Sequence, residues 1–271
     1  MKLAFFFSPK TLALITAAFG IMLPSVTKAE PVALSFSEDW RHGVTVYGFL
    51  PQSLTGTSTI ANTSVDLDLD FQDALELLDF GISAQYEGWT GNWGFIVDAN
   101  YAKLGADQSI PLPAGNIDVD LNVKQSWIGF LGGYKVANGV YGKNDHRYSV
   151  DLQAGLRYNE LKQEADVSTM GPSVTLGGTE TWTEVVVGAR GAWELSDRWF
   201  LVAAADAGLG GENVNSHWRV SLGLAYQAWE NTSIRFGWRH YEIDYGTERS
   251  DGTFAYDVMQ TGPLVGVTFS F

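Results

Sequence analysis

The chain of 271 residues contains no cysteine, so disulfide bonds cannot contribute to its stability. Charged residues make up only 18% of the chain and prolines number 8, whereas glycines number 30 and aromatic residues reach 13%. Many glycines and aromatic residues combined with few charges favour an all-β protein over a helical one. Stability must then come from backbone hydrogen bonding within closed sheets.

Basic residues are scarce as well. The chain has 17 Lys and Arg residues against 31 Asp and Glu residues, which gives a formal charge of −14. This charge becomes −17 once Lys2, Lys10 and Lys28 are removed with the first 29 residues, which carry no acid. Because an acidic chain repels phosphates, we predict no nucleic-acid partner.

Residues 1–29 have the organisation of a secretory signal peptide. Lysines precede the apolar run "TLALITAAFGIML", Pro24 follows this run, and the small residues of "TKA" end at Ala29. The alternative is a membrane-anchoring helix, but an apolar run of about 13 residues is short for spanning a bilayer. We predict export and cleavage after Ala29.

From Trp40 onward, apolar and polar residues alternate with a period of two, in runs that are separated by turn residues. We predict about ten strands, with eight or twelve as alternatives. The runs are "GVTVYGFLP", "FGISAQYEGW", "NWGFIVDANYAKL", "DVDLNVKQSWIGFLGGYKV", "YSVDLQAGLRYNELKQEADV", "TWTEVVVGARGAWEL", "RWFLVAAADAGL", "HWRVSLGLAYQAW", "SIRFGWRHYEIDY" and "YDVMQTGPLVGVTFSF".

The predicted connections alternate between short and long. Tight turns fall near 90, 138–146, 196 and 230, and longer loops near 52–78, 106–117, 166–180, 210–216 and 246–255. This alternation is typical of an outer-membrane barrel with short periplasmic turns. A closed barrel also satisfies every backbone hydrogen bond in lipid without a helix.

We therefore predict an all-β fold, a closed antiparallel transmembrane β-barrel, that occupies residues 40–271. A signal peptide over 1–29 and a short N-terminal periplasmic segment over 30–39 precede it. An even strand count places both termini in the periplasm of a bacterial outer membrane. Loop 52–78 is then expected outside the cell, and the turn at Thr90–Gly91 in the periplasm.

Tryptophans cluster near the predicted tight turns. An aromatic girdle at a membrane interface would place them there, although tryptophan also favours strands in general. The girdle is predicted to contain Trp40, Trp89, Trp93, Trp193, Trp199 and Trp229.

The last strand alternates apolar and small or polar residues up to the final residue. Val265, Val267, Phe269 and Phe271 form the apolar set, which we expect to face lipid. Pairing of this strand with the first would leave no exposed edge. A last strand that ends in Phe resembles the signal that such barrels present to the barrel-assembly machinery, which is a predicted partner.

Two stretches resemble the small porin-like or opacity-type outer-membrane barrels of Gram-negative bacteria, and within them a group that is largely uncharacterised. One is "RFGWRHYEIDYG…GTFAYDVMQTGPLVGVTFSF" and the other is "VDLDLDFQDALELLDFGISAQYEGWTGNWGFIVDANYAKLG". The resemblance implies an outer-membrane location and a barrel fold, with outer-membrane lipid and lipopolysaccharide as surroundings. It implies no catalytic residue.

If the apolar alternates face lipid, the other alternates face the barrel interior. We predict a lumen charge network of Glu87, Asp98, Asp151, Arg157, Glu184, Arg190, Glu194, Asp206, Arg219, Arg235 and Arg239. Residue counts from the tight turns place Arg190, Asp98, Asp206 and Arg239 at similar heights, with Arg157, Glu184 and Arg219 above them. The strand around Trp127 fits either register and stays unassigned.

Two functions follow from such an interior. Arginines paired with carboxylates could form a structural plug, since a barrel of eight to ten strands is narrow. The same charges could instead form a constriction that selects a small solute. We predict a structural or surface-interaction role, with a narrow channel as the alternative and no assigned oligomeric state.

A membrane-embedded hydrolase is the third possibility. Ten-stranded outer-membrane proteases and small-barrel lipid A-modifying enzymes need acid–base groups near the outer rim. His217 and His240 lie toward that side, and Glu242 and Asp244 follow His240 at alternate positions. A solvated polar stripe explains the same pattern, and no catalytic residue is assigned.

The acidic end of loop 52–78 is a weak candidate for a metal site. Asp66, Asp68 and Asp70 alternate, and carboxylate oxygens are the ligands that Ca²⁺ and Mg²⁺ prefer. The stretch lacks the glycine and closing glutamate of a defined calcium loop. A solvated acidic loop is the alternative, and we predict neither a bound metal nor a cofactor.

Overall fold

The computed structural model describes residues 32–112, 115–168, 172–210 and 215–271, with their side chains except at 33 and within 107–117. The predicted signal peptide and its cleavage after Ala29 lie outside these residues. A 3₁₀-helix at Val32–Leu34 comes first. The elements after it are β1 (Arg41–Phe49), β2 (Ser53–Ile60), β3 (Thr63–Leu69), α1 (Phe71–Leu77), β4 (Leu78–Thr90), β5 (Trp93–Leu112), β6 (Gly115–Tyr141), β7 (His146–Ser168), β8 (Val174–Ser196), β9 (Trp199–Gly210), β10 (Asn215–Trp229), β11 (Thr232–Arg249) and β12 (Gly252–Ser270).

Ten antiparallel strands close into a barrel. β1 pairs with β4, the pairing continues in chain order from β4 to β12, and β12 pairs back with β1. β2 and β3 form a hairpin outside this ring. The closed antiparallel barrel of ten strands confirms the predicted fold class and strand count.

The long strand β12 changes partner halfway along its length. It pairs with β1 from Leu264 to Ser270 and with β2 from Ala255 to Thr261. Gly262 lies at the exchange, where an added Cβ would fall 2.2 Å from the Leu50 carbonyl oxygen, so only glycine fits there. The β2–β3 hairpin thereby continues the wall where the nine-residue β1 ends.

The predicted tight turns lie at one end of the barrel, which we call the turn end, and the other end is the hairpin end. The turns occupy 91–92, 142–145, 197–198 and 230–231. The predicted longer loops are mostly paired strand, since 106–112 and 115–117 belong to the β5–β6 ladder and 246–255 is interrupted only at 250–251. Loop 52–78 is likewise the β2–β3 hairpin followed by α1.

The outer wall carries an apolar belt. Exposed large apolar side chains alternate along the strands, among them Ile128, Phe130, Leu152, Leu156, Val185, Val187, Leu222, Phe236 and Val265. An exposed apolar surface of this extent marks contact with lipid or another apolar partner. No helix in the described ranges is long and apolar enough to cross a membrane.

Aromatic residues border the belt at the turn end, with one correction to the predicted girdle. Trp40, Trp93, Trp199 and Trp229 are exposed, and Trp93 reaches 67%. Trp89 instead points into the barrel and is only 1% exposed. Successive side chains of a strand point to opposite faces, so residues two apart share a face. Trp89 lies two residues after the inward Glu87 on β4 and therefore also points inward.

Candidate functional site in the barrel interior

The interior is organised in successive layers from the turn end to the hairpin end. At the turn end, the segment before β1 folds back into the barrel mouth. Leu34 is buried against Ala192, Phe200 and Ala225, and Val32 is buried with Trp89 and Ile96. Val32 and Leu34 of the segment 32–39 therefore fill the turn end of the lumen.

Backbone and lysine contacts fix this segment. The Gly91 amide donates to the Ser37 carbonyl oxygen at 2.9 Å, and the Thr90 hydroxyl donates to the Glu38 carbonyl oxygen at 2.5 Å. Lys135 Nζ donates to the carbonyl oxygens of Ser35 at 2.5 Å and Gly91 at 3.2 Å. Lys135 thus joins the segment to the first turn.

A first ion-pair cluster lies next to the segment and centres on Arg190. Its Nη1 lies 2.8 Å from Glu87 Oε2, and its Nε lies 3.0 Å from Asp151 Oδ2. Trp89 Nε1 donates to Glu87 at 2.9 Å, and the Trp89 ring lies 5.4 Å from the guanidinium carbon of Arg190. Charge, hydrogen bonding and a cation–π contact all stabilise this buried group.

A second ion-pair cluster lies further toward the hairpin end. Arg219 Nε lies 2.7 Å from Asp206 Oδ2, and its Nη2 lies 3.3 Å from Asp98 Oδ2. Arg157 Nη2 approaches the same two carboxylates, at 3.0 Å from Asp206 and 3.8 Å from Asp98. Two arginines and two aspartates are therefore shared in one network.

His217 extends this second cluster. Its Nδ1 lies 2.5 Å from Glu184 Oε2, its Nε2 lies 3.1 Å from Asp206 Oδ1, and Arg157 contacts the same ring nitrogen. Trp182 Nε1 donates to Glu184 Oε1 at 2.7 Å. The histidine is buried among these partners, and the imidazole has no open side toward solvent.

A cavity of about 140 Å³ borders both clusters. One water needs only about 10–15 Å³ of such volume, so the cavity has room for several waters or a small solute. Its charged lining consists of Asp98, Arg190, Asp206, Arg219, Arg235 and Arg239.

The hairpin end of the lumen is filled by apolar and aromatic side chains. Trp182 and Tyr245 stack at 4.1 Å between ring centroids. Ser58 donates to Gln163, and the Gln163 amide donates to the Ala255 carbonyl oxygen at 3.2 Å, which joins β7 to β12 across the ring. The whole layer consists of Leu54, Trp127, Leu161, Trp182, Tyr241, Ile243, Tyr245, Phe254, Tyr256 and Val258.

Several predicted interior positions differ in detail from the structure. Arg239 does not pair with Asp206, since its guanidinium carbon lies 3.8 Å from the Phe49 ring centroid and no described carboxylate forms an ion pair with it. Asp98, Arg190, Asp206 and Arg239 line one cavity, as their predicted heights require, but Arg219 lies with Asp98 and Asp206 and not in a separate layer, because tilted barrel strands are staggered. Arg190 forms its ion pairs with Glu87 and Asp151 and none with Asp98 or Asp206.

Glu194 lies apart from both clusters, at the rim of the turn end. Arg147 Nε donates to Glu194 Oε2 at 2.8 Å. The Arg147 backbone amide also donates to Glu194 Oε2, at 3.2 Å. Arg235 faces the cavity on β11 without an ion pair in the described ranges.

The predicted catalytic candidates are separated by the barrel wall. His217 points into the lumen, whereas His240 packs outside on Trp218 at 4.6 Å between ring centroids and bonds Thr261 Oγ1 at 2.7 Å. Glu242 and Asp244 share the alternation of His240 on β11. The two histidines therefore do not converge on one site.

The three alternating aspartates have different roles. Asp66 and Asp68 are exposed on β3, and Asp70 caps α1 by accepting from the amides of Gln72 at 2.8 Å and Asp73 at 3.1 Å. In the described part of the chain, no cluster of three or more metal-ligating side chains is present.

Sequence reasoning missed three side chains of the interior and the segment that enters the turn end. Trp127 and Lys135 lie on the inward face of β6, where small residues hide the register, and Trp89 was placed in the girdle. The plugging segment 32–39 carries no alternation. The one signal that could have placed Trp89 inside is its spacing of two residues from Glu87, because residues two apart on a strand share a face.

A closed, even-stranded antiparallel barrel with short turns at one end and an apolar outer belt defines the class of outer-membrane β-barrels. No family model and no curated protein matches the chain.

Among solved structures, one match is the outer membrane protease OmpT from Escherichia coli. It is 9% identical, with 88% of this chain and 99% of that chain covered and a TM-score of 0.47. The translocator domain of the autotransporter NalP from Neisseria meningitidis is 14% identical, with coverages of 85% and 88% and a TM-score of 0.40. The toluene transporter TodX of Pseudomonas putida is 12% identical, with coverages of 89% and 91% and a TM-score of 0.30. These likenesses carry nothing about the function of this chain.

Proposed function

We propose that the chain is an integral barrel of a bacterial outer membrane with a closed interior and a structural or surface-interaction role. The observation that carries the proposal is the sequence of layers in the lumen: the segment 32–39, two ion-pair clusters and an apolar layer. A barrel of ten strands is narrow enough for side chains to fill it. The belt would face lipid, with the turn end in the periplasm.

The hairpin end supplies the surface for interaction. The β5–β6, β7–β8 and β11–β12 ladders and the β2–β3 hairpin extend at this end. Arg249 pairs with Glu180, and the Gly177 amide donates to Asp251 Oδ2 at 3.1 Å, so the β7–β8 and β11–β12 hairpins are joined although β9 and β10 lie between them in the ring. A joined group of hairpins is a firm platform for contact with molecules outside the cell.

A row of lysines on the outer wall fits the predicted surroundings of lipopolysaccharide. Lys103 is the cross-strand partner of Lys124, and Lys124 is the partner of Lys162. Like charges in direct register repel, and each lysine also has a carboxylate partner. Lipid phosphates above the belt would be suitable counter-charges for this row.

A narrow channel for small solutes is the second candidate, and the cavity of about 140 Å³ with four arginines in its lining favours it. Passage would require both the segment 32–39 and the apolar layer at the hairpin end to move. The closed barrel is therefore the form that the contacts support.

The experiment is cysteine labelling on intact cells with a membrane-impermeant reagent. Val65→Cys places a thiol on the exposed face of β3, and Lys143→Cys places one in the turn at 142–145. Both are new thiols in a chain without cysteine. We expect labelling of Val65→Cys on intact cells and of Lys143→Cys only after lysis. The reverse pattern would invert the orientation, and loss of both proteins from the outer-membrane fraction would refute the location.

A further inference from the structure

Two arginines of the lumen have no carboxylate partner among the residues that the structure describes. Arg235 and Arg239 lie on the inward face of β11, and both line the cavity of about 140 Å³. Arg239 is only 3% exposed. Its Nε and Nη1 atoms, and the Nε atom of Arg235, are buried and have no hydrogen-bond partner among the described residues.

The carboxylates of the lumen already have other partners. Glu87 and Asp151 bind Arg190, Asp98 and Asp206 bind Arg157 and Arg219, and Glu184 binds His217. The five lumen carboxylates equal the five lumen arginines in number, but these contacts leave no described carboxylate in an ion pair with Arg235 or Arg239.

A buried arginine without a partner cannot become neutral by losing its proton, because the guanidinium stays charged in proteins. Leaving such a charge buried without a counter-charge is strongly unfavourable. Phe49 covers one face of the Arg239 guanidinium at 3.8 Å, so the free donors lie in the guanidinium plane. In-plane N–H groups are the ones that bind oxyanions.

We propose that this cavity is a binding site for a small oxyanion, of phosphate or carboxylate chemistry, held by Arg239 and Arg235. Ser221 and Gln85 line the same cavity and supply neutral hydrogen-bonding groups. Of the four arginines in the lining, Arg190 and Arg219 are paired with carboxylates, and Arg235 and Arg239 are the two that direct unpaired guanidinium groups at the cavity. The anion accepts hydrogen bonds from the buried guanidinium N–H groups that have no partner among the described residues. This site does not depend on the proposed surface role or on orientation in the membrane.

The test is refolding in the presence of an anion, because both ends of the lumen are closed in the folded protein. The chain is refolded from urea into detergent with radiolabelled inorganic phosphate at fixed ionic strength, and free phosphate is removed by gel filtration. We expect one phosphate to be retained per folded chain and to be lost on unfolding. Competition with acetate and with chloride distinguishes carboxylate chemistry from simple halide binding.

The variants are Arg239→Gln and Arg235→Gln, with Arg198→Gln as the matched control. Arg198 is exposed in the turn at 197–198 and is not part of the cavity. Each lumen variant should retain several-fold less phosphate than the control. Equal retention by the lumen variants and the control would overturn the proposal.

A second measurement covers the case in which a lumen variant fails to fold. The unfolding temperature of the wild type is recorded with increasing phosphate in place of chloride at constant ionic strength. A ligand that binds only the folded state raises this temperature with concentration. We expect a rise with phosphate. Absence of both the rise and the retained label would show that only water occupies the cavity.

Discussion

His42 and Phe271 join the first and last strands through two backbone hydrogen bonds. The His42 amide donates to the Phe271 carbonyl oxygen at 2.8 Å, and the Phe271 amide donates to the His42 carbonyl oxygen at 2.9 Å. Their rings also stack, with centroids 5.7 Å apart. The pair extends by one residue the β1–β12 ladder that closes the ring of strands.

Removal of the last aromatic residue should reduce the yield of folded barrel. Phe271→Ala loses the stacking on His42, and deletion of Phe271 also loses the backbone pair, so we expect deletion to have the larger effect. The measurement is the heat-modifiable folded band from isolated outer membranes. Phe130→Ala is the control, since Phe130 is an exposed aromatic of the belt on β6, away from the β1–β12 seam. Normal abundance of the folded deletion variant would contradict this prediction.

The pairing in the second cluster can be tested with double-mutant cycles. Arg219→Met and Asp206→Asn remove two groups that are 2.7 Å apart, and we expect a coupling free energy of about 0.5–3 kcal/mol. The cycle with Arg239→Met and Asp206→Asn is the control and should give no coupling. Unfolding in urea, in detergent, provides the free energies. Coupling in the Arg239 cycle alone would restore the pairing that the sequence predicted.

The N-terminal plug should contribute to stability as a core element does. Leu34→Ala removes a fully buried side chain that packs on Phe200, and we expect a loss of about 2–5 kcal/mol in the free energy of unfolding. Leu75→Ala is the matched control, because Leu75 on α1 is exposed. The urea midpoint of Leu34→Ala should lie clearly below that of Leu75→Ala. Equal midpoints would mean that the segment 32–39 does not pack in the turn end of the barrel.

The joined hairpins should respond to pH through Asp251, which lies at the tip of the β11–β12 hairpin, beyond the belt. The hydrogen bond from the Gly177 amide, together with Arg249, holds the pKa of Asp251 below its usual range. A lowered pKa means that the contact stabilises the fold above the ordinary aspartate pKa and is lost as the pH falls through the lowered value.

The readout is the Gly177 amide resonance in an NMR pH titration. We expect a shift whose midpoint lies below the ordinary aspartate pKa, and no such shift in Asp251→Asn. Asp257→Asn, at an exposed position of β12, should leave the titration unchanged. A midpoint at the ordinary value would show that the hairpins are not joined at this position.

The sequence was sufficient for the wall of the barrel. The alternation of Val265, Val267 and Phe269 and the short turns are local signals, and they determine strand direction and the lipid-facing side. The same alternation of strand faces, counted from the inward Glu87, would also have placed Trp89 inside. Local patterns thus predict which side a residue faces.

The interior contacts could not be predicted because they depend on the stagger between distant strands. Arg190 on β8 forms an ion pair with Glu87 on β4. Residue counts from the turns do not give the relative heights of two strands so far apart in the ring. The register around Trp127 was ambiguous because small and apolar residues occupy both faces of β6. The segment 32–39 enters the mouth through tertiary contacts alone.

The closed lumen is tested most directly by single-protein conductance in a planar bilayer. The purified wild type should show no steady current, because the segment 32–39, two ion-pair clusters and the apolar layer fill the interior in turn. A variant lacking 32–39 controls for the plug at the turn end and should still conduct poorly, since the apolar layer remains. A steady wild-type conductance of porin size would contradict the closed barrel and make the channel the function of this protein.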